Sequence, residues 1–351
     1  MKLANSILMV SLLLVSVLSI STNIQIVNAS GTIYIRADGS IDPKTAPISS
    51  VDNVTYIFTD NIYDEIVVER NYTVIDGDGY TLEGNGTGYG FRLFNNFNVT
   101  LKNTHIKGFE HGIERWLGGG HSEFNKILNN TITDCEIGVH IRFFYLGEIV
   151  GNTITRNDYG LVLSCGDVTI ANNTIAYNNL GIMAYSLWDC LVIGNHIVNN
   201  IAGYSERVLM SDSTFYHNNF VNNTYQAEMM GSVFDDGYPS GGNYWSDYNG
   251  VDLYGGPYQN ETGSDGIGDT PYVGYESADN YPLMTPYLWW NPADVNHDLK
   301  VDIFDIVSAC QAYLSTPSDP HWNCHCDVAD PYGIINIFDI VMICSSYGEE
   351  Y

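Results

Sequence analysis

The chain has 351 residues, of which 13 are Lys or Arg and 41 are Asp or Glu, giving a net charge of −28 at pH 7. So acidic a chain is unsuited to nucleic acid, whose affinity rests on cationic phosphate contacts, and equally unsuited to anionic membrane surfaces. The length suits one main domain with an appendage.

Residues 1–29 read as a secretory signal. Lys2 is the positive start, Ile7 to Ile20 form the apolar run, and Val27, Asn28 and Ala29 offer small-residue cleavage geometry. The run is short for a bilayer span and carries serines, so no stable transmembrane segment is expected. Sequons at Asn53, Asn71, Asn85, Asn98, Asn129, Asn172, Asn222 and Asn260 fit an exported glycoprotein. The expected location is secreted, extracellular or cell-surface.

From Gly31 to Leu101, phrases such as Glu65 to Gly84 give short strands broken by Asp-Gly turns. A strict register begins at Ile106. Beyond an inserted loop from Leu117 to Phe124, the chain repeats roughly every 22 residues, with register points Ile132, Ile154, Ile175, Ile197 and Phe220. Asparagines precede each by two (Asn130, Asn152, Asn173, Asn195, Asn218). Three after come Cys135, Asn157, Asn178, Asn200 and Asn223, and glycines follow at Gly138, Gly160, Gly181 and Gly203. A fixed period of this length marks a solenoid. Alternating apolar and β-branched residues make its elements strands, and Asn and Gly supply the bends. Leucine-rich repeats share such a period but need recurrent helix formers, and none recurs. The expected fold class is therefore all-β: a parallel β-helix of about 7–8 coils over residues 30–234, right-handed by inference from its long coil, with coils stacked about 4.8 Å apart.

After Phe220 the period dissolves. Residues 235–286, rich in Gly, Asp, Tyr and Pro, are expected to cap the open end, whose strand edges need cover. Tyr244, Trp245 and Tyr248 are the alternative here, as sugar-stacking residues, and Asp247, Asp252, Asp265 and Asp269 are acids that suit calcium without matching a known loop. The coils, the phrase "VIDGDGYTL", and "GNYWSDY" (Gly242 to Tyr248) with "SDGIGDTPY" (Ser264 to Tyr272) resemble the periplasmic copper-binding NosD β-helix family and related carbohydrate-active β-helices. That resemblance covers roughly Ile33 to Pro286 and implies the fold more than any activity.

Residues 287–292 read as a linker, and 293–351 as a small α-helical module. "VDIFDIVSACQAY" (Val301 to Tyr313) returns as "INIFDIVMICSSY" (Ile335 to Tyr347). Before the first copy, Asp294, Asn296, Asp298, the Lys300 carbonyl, Asp302 and Asp305 fall at the oxygen positions of a calcium loop. Leu299 stands where glycine is expected. The second loop, one residue longer, would use Asp327, Asp330, Asn336 and Asp339. A helix follows each loop, with expected apolar faces at Ile306, Val307, Cys310, Tyr313 and at Ile340, Val341, Cys344, Tyr347. Two such loops, each with one helix, are similar to a type I dockerin, an EF-hand-type module. This resemblance implies Ca²⁺-dependent folding and docking to a cohesin-like partner; a purely structural calcium clip is the alternative. An exported context favours disulfides, with Cys310 and Cys344 bridged to Cys324 and Cys326. A metal held by His321, Cys324, His325 and Cys326 is the other possibility.

Two outward columns are expected on the coils. One reads Glu114, His140, Val162, Met183; the other reads Trp116, Arg142, Ser164, Tyr185, Arg207. Aromatic rings and guanidinium groups on a flat face suit a sugar, so Trp116, Arg142, Tyr185 and Arg207 are the candidate ligand-binding residues. Glu114, His140 and Arg142 are the candidate catalytic residues, as acid, base and anion binder. The functional expectation is a non-catalytic β-helix that binds or presents polysaccharide and attaches through its calcium module. The alternatives are a polysaccharide lyase, hydrolase or epimerase, and a copper-handling protein like the NosD family.

Overall fold

The computed structural model describes residues 31–94, 96–115, 122–207 and 212–287, and in the C-terminal region 293, 295, 301–316, 319, 321, 323, 326, 328, 329 and 334–348. The chain divides into two units, residues 1–32 and 33–351. The proposed signal, Trp116, and most of both calcium loops (Asp294, Asn296, Asp298, Lys300, Asp327, Asp330) lie outside the described residues.

Among the described residues the second unit is a right-handed-type β-solenoid of about 8 turns with two short helices. Three sheets run along it, of 11, 9 and 8 strands. Within the coils the pairing is parallel, and it keeps its register except at bulges in the long strands of the first sheet. In the third sheet Ile132 pairs with Ile154, Ile154 with Ile175, Ile175 with Ile197 and Ile197 with Phe220, each side chain fully buried. The register also reaches one coil earlier than the sequence period suggests, since Ile106 pairs with Leu82. It reaches one coil later as well, Phe220 pairing with Trp245; an enlarged last coil hides that rung from a 22-residue period.

Two asparagine ladders run along the bends. In the first, Asn173 accepts from the Asn152 backbone N–H at 2.9 Å and from Asn152 Nδ2 at 3.0 Å, while its own Nδ2 donates to the Ile149 carbonyl at 2.8 Å and to Asn195 Oδ1 at 2.9 Å. The same exchange carries on to Asn243. The second ladder starts at the Cys135 N–H and ends at Asn223. Only a side chain with both a carbonyl and an amide can serve the coils on either side, which is why the residue type repeats. The residue before each of the first five asparagines of this ladder is left-handed: Asn129, Gly151, Asn172, Gly194 and His217 have φ between 52° and 69°. That bend turns the asparagine inward from the strand ahead of it.

The cap closes the tube with stacked rings. Phe220 lies 4.3 Å from Trp245, and Trp245 lies 4.3 Å from Tyr272, centroid to centroid. Trp245 is 1% exposed and its Nε1 donates to Asp279. It is thus core rather than a sugar-stacking surface. Asp252, Asp265 and Asp269 hold the cap loops by accepting backbone N–H groups.

In the C-terminal region, helices α1 (Ile303–Gln311) and α2 (Ile337–Ser345) carry matching capping boxes. Asp302 and Asn336 are the N-caps; the carboxylates of Asp305 and Asp339 return to the N-cap amides at 2.8 and 2.7 Å. Two expectations are corrected here. Of the expected apolar faces Ile306 and Ile340 do pack, half-buried, against the small core. The fully buried helix positions, however, are Asp305 with Ala309, and Asp339 with Ile343, whereas Val307, Tyr313, Val341 and Tyr347 are exposed. Cys310 and Cys344 consequently point outward while Cys326 is fully buried, and all three thiols are free. Cys135, Cys165 and Cys190 in the coils are free too. Among the described residues no helix is long and apolar enough to cross a membrane.

Candidate functional site

The site lies on the outward side of the first sheet. Its strands Tyr89–Leu93, His111–Arg115, Ile137–Tyr145, Tyr159–Gly166 and Leu180–Trp188 stack in parallel. Register places Arg92, Glu114, His140, Val162 and Met183 in one column. Beside it runs Tyr89, His111, Ile137. Strand pairing alone therefore sets Glu114 next to His140, and the short step along its own strand sets it next to His111.

The three side chains form one cluster. Glu114 Oε2 meets Nδ1 of His111 in a close contact and Nδ1 of His140 at 3.0 Å. The imidazole centroids are 5.2 Å apart at 78°, and Tyr89 packs against His111 in a similar edge arrangement at 5.4 Å. His111, Glu114 and His140 are 9%, 2% and 6% exposed, and one ligand atom from each lies within 4.8 Å of the others. Glu114 Oε1 is buried and has no hydrogen-bond partner among the described residues. Burial pushes the Glu114 carboxyl up, but the hydrogen bonds and charges of His111 and His140 outweigh it and leave the group below its ordinary value. The cluster thus pairs a carboxylate anion with two imidazoles, a set of donors suited to a borderline divalent cation.

The second column is less regular. Arg142 pairs with Ser164, but a bulge sets Ser186 rather than Tyr185 opposite Ser164. Arg142 and Tyr185 nevertheless meet, the guanidinium carbon standing 5.6 Å from the ring centroid. Arg207 is exposed at the end of its strand, its N–H donating to Ala184. Two residues escaped sequence reasoning. His111 keeps the register, pairing with Ile137 as Ile137 pairs with Tyr159, but it stands outside the two columns expected to face outward. Arg115 shares a column with core residues Ile141 and Leu163, and its Nη1 donates to the Arg142 carbonyl at 2.7 Å.

Among solved structures, the enzymatically active domain of bacteriophage CBA120 tailspike protein 2 is similar at 12% identity and a TM-score of 0.30, over 51% of this chain and 38% of that one. A Geobacillus virus E2 protein, ORF18, is similar at 11% identity and a TM-score of 0.28, over 64% of this chain and 58% of that one. The chain spans less than two thirds of either. No curated protein matches it significantly. The sequence profile described as "Periplasmic copper-binding protein (NosD)" matches residues 64–250, more than half of the length, and the chain accordingly belongs to the NosD family.

Proposed function

We propose that this chain is an exported β-helix of the cell envelope or surface that binds one divalent transition-metal ion through His111, Glu114 and His140. The observation that carries the reading is the buried His–Glu–His cluster with an unpartnered carboxylate oxygen. Two imidazole nitrogens and a carboxylate fit Cu²⁺ or Zn²⁺ better than the thiolate- and thioether-seeking Cu⁺, and Cu²⁺ binds such donors more tightly than Zn²⁺. The family's copper-binding description agrees with that choice. The ion would supply a positive charge to the carboxylate. Tyr89 fixes the tilt of the His111 ring, and burial keeps water from the donors. The test is calorimetric titration of Cu²⁺ and Zn²⁺ into the EDTA-stripped full chain. One equivalent should bind, and His140→Ala or Glu114→Gln should weaken it by more than about 100-fold. Undiminished binding in both variants defeats the reading.

Glycan binding on the same sheet is a second reading, favoured by Arg142 over Tyr185. It is tested by retention of wild type, but not Arg142→Ala, on a polysaccharide array. The repeat-related helix caps support a third element, attachment to a cohesin-like protein through a calcium-stabilised module. Here Ca²⁺ should raise the melting temperature of the metal-stripped chain, and Asp302→Ala should abolish that rise.

A further inference from the structure

At the capped end of the tube a cleft of about 370 Å³ opens between strand Tyr225–Glu228 and the hairpin of Tyr272–Val273 with Ala278–Asp279. Its volume is within the range of small-molecule sites. Tyr225 and Tyr275 stand at the rim, 51% and 72% exposed. The carboxylate of Asp247 lines the same cleft. Tyr272 Oη donates to its Oδ2 at 3.3 Å and Gln226 Nε2 to its Oδ1 at 3.3 Å.

The second asparagine ladder fixes this carboxylate. Asn223, its last rung, donates to Gln226 Oε1 at 2.9 Å, and Gln226 in turn donates to Ser246 Oγ at 2.9 Å and to Asp247. The amide therefore has one orientation, and so does the acid it holds. Both donors to Asp247 are neutral, and among the described residues no cation forms an ion pair with it. The carboxylate keeps acceptor capacity for a ligand.

We infer that this cleft binds a neutral pyranose, with hydroxyls donating to Asp247 and the sugar's C–H face against Tyr275, the more exposed of the two rim rings. Charge-assisted hydrogen bonds to the acid give orientation, and the exposed rings give apolar contact that water cannot match. An acidic sugar would meet Asp247 with like charge. A quaternary ammonium would need an aromatic cage, but Tyr272 already stacks on Trp245 at 4.3 Å. That leaves two rings on an open rim. The site shares no residue with the His–Glu–His cluster and stands whether or not a metal binds there.

The test is saturation-transfer NMR and titration of the full chain with the methyl glycosides of glucose, galactose and mannose and with N-acetylglucosamine. Glucuronate and choline serve as charged counter-probes. At least one neutral sugar should bind, equally well in EDTA-stripped protein and in Arg142→Ala. Tyr275→Ala should weaken it about tenfold and Tyr275→Phe should retain it; Asp247→Asn should weaken it by more than about tenfold. Because Tyr275 and Asp247 are exposed, these variants should melt with wild type. The inference is overturned if no neutral sugar binds, if glucuronate or choline binds in preference, or if Tyr275→Ala and Asp247→Asn bind as wild type does.

Discussion

The asparagine ladders and the outward column of the first sheet are built from the same coils, yet they follow opposite rules. Along the first ladder the residue is asparagine at every rung from Asn130 to Asn243. Along the outward column it changes at every step: Arg92, Glu114, His140, Val162, Met183, Ser205, Glu228. A ladder rung must satisfy the backbone of both neighbouring coils, so its chemistry is dictated by the fold. A position in the outward column, although mostly buried, has no bend backbone of a neighbouring coil to satisfy, so its residue type can change from coil to coil. Where the repeat is kept the chain builds scaffold; where it is broken a site can sit.

Mutations at the two places should separate them by energy. Asn173→Ala leaves the Ile149 carbonyl and the Asn152 amide without their partners in a buried bend. It should cost about 4 kcal/mol in urea unfolding, and a loss under 1 kcal/mol would show the ladder to be ornamental. Gly160→Ala comes next. A Cβ there would lie 2.5 Å from the Gly181 carbonyl oxygen of the neighbouring coil, so the backbones must separate, at about 2–3 kcal/mol.

The cap should show a pH signature of its own. Burial pushes the Asp279 carboxyl up from 3.8 to about 7, against the N–H groups of Asn243, Trp245 and Tyr281. A raised folded-state value means that this group's stability is fully present below its unfolded value. It is lost as pH climbs through about 7. The loss should be on the order of 4 kcal/mol, because the rise from 3.8 to about 7 already includes what the three donors give back. Asp279→Asn should flatten that portion of the stability–pH curve; an unchanged curve would remove Asp279 as its source. The smallest effect belongs to the outward face, where Arg142→Ala should cost no more than about 1 kcal/mol in melting experiments.

The same contrast explains what could be read in advance. Ile132 to Phe220, both asparagine ladders and the inward glycines recur at fixed spacing because stacking demands it, so the coils were visible in the letters. Glu114 beside His140 followed from that spacing. His111 did not: it holds the common frame, but its column otherwise carries Tyr89, Ile137, Tyr159 and Leu180, so nothing in the repeat marks it as a partner of Glu114. The Trp245 rung was concealed by an enlarged last coil. In the helical region the error was one of phase. Ile306 and Ile340 pack as expected, but small Ala309 and Ala312 fill the inward positions beside Ile306 where Val307 and Tyr313 were expected, and Cys310 is left exposed with a free thiol.

The central claim is that His111, Glu114 and His140 jointly hold a metal ion. It is tested most directly by electron paramagnetic resonance of one equivalent of Cu²⁺ in EDTA-stripped protein. The account predicts a single copper species with coupling to two imidazole nitrogens, lost in His111→Ala/His140→Ala while the melting of the tube persists. An identical copper spectrum in that double variant would contradict it.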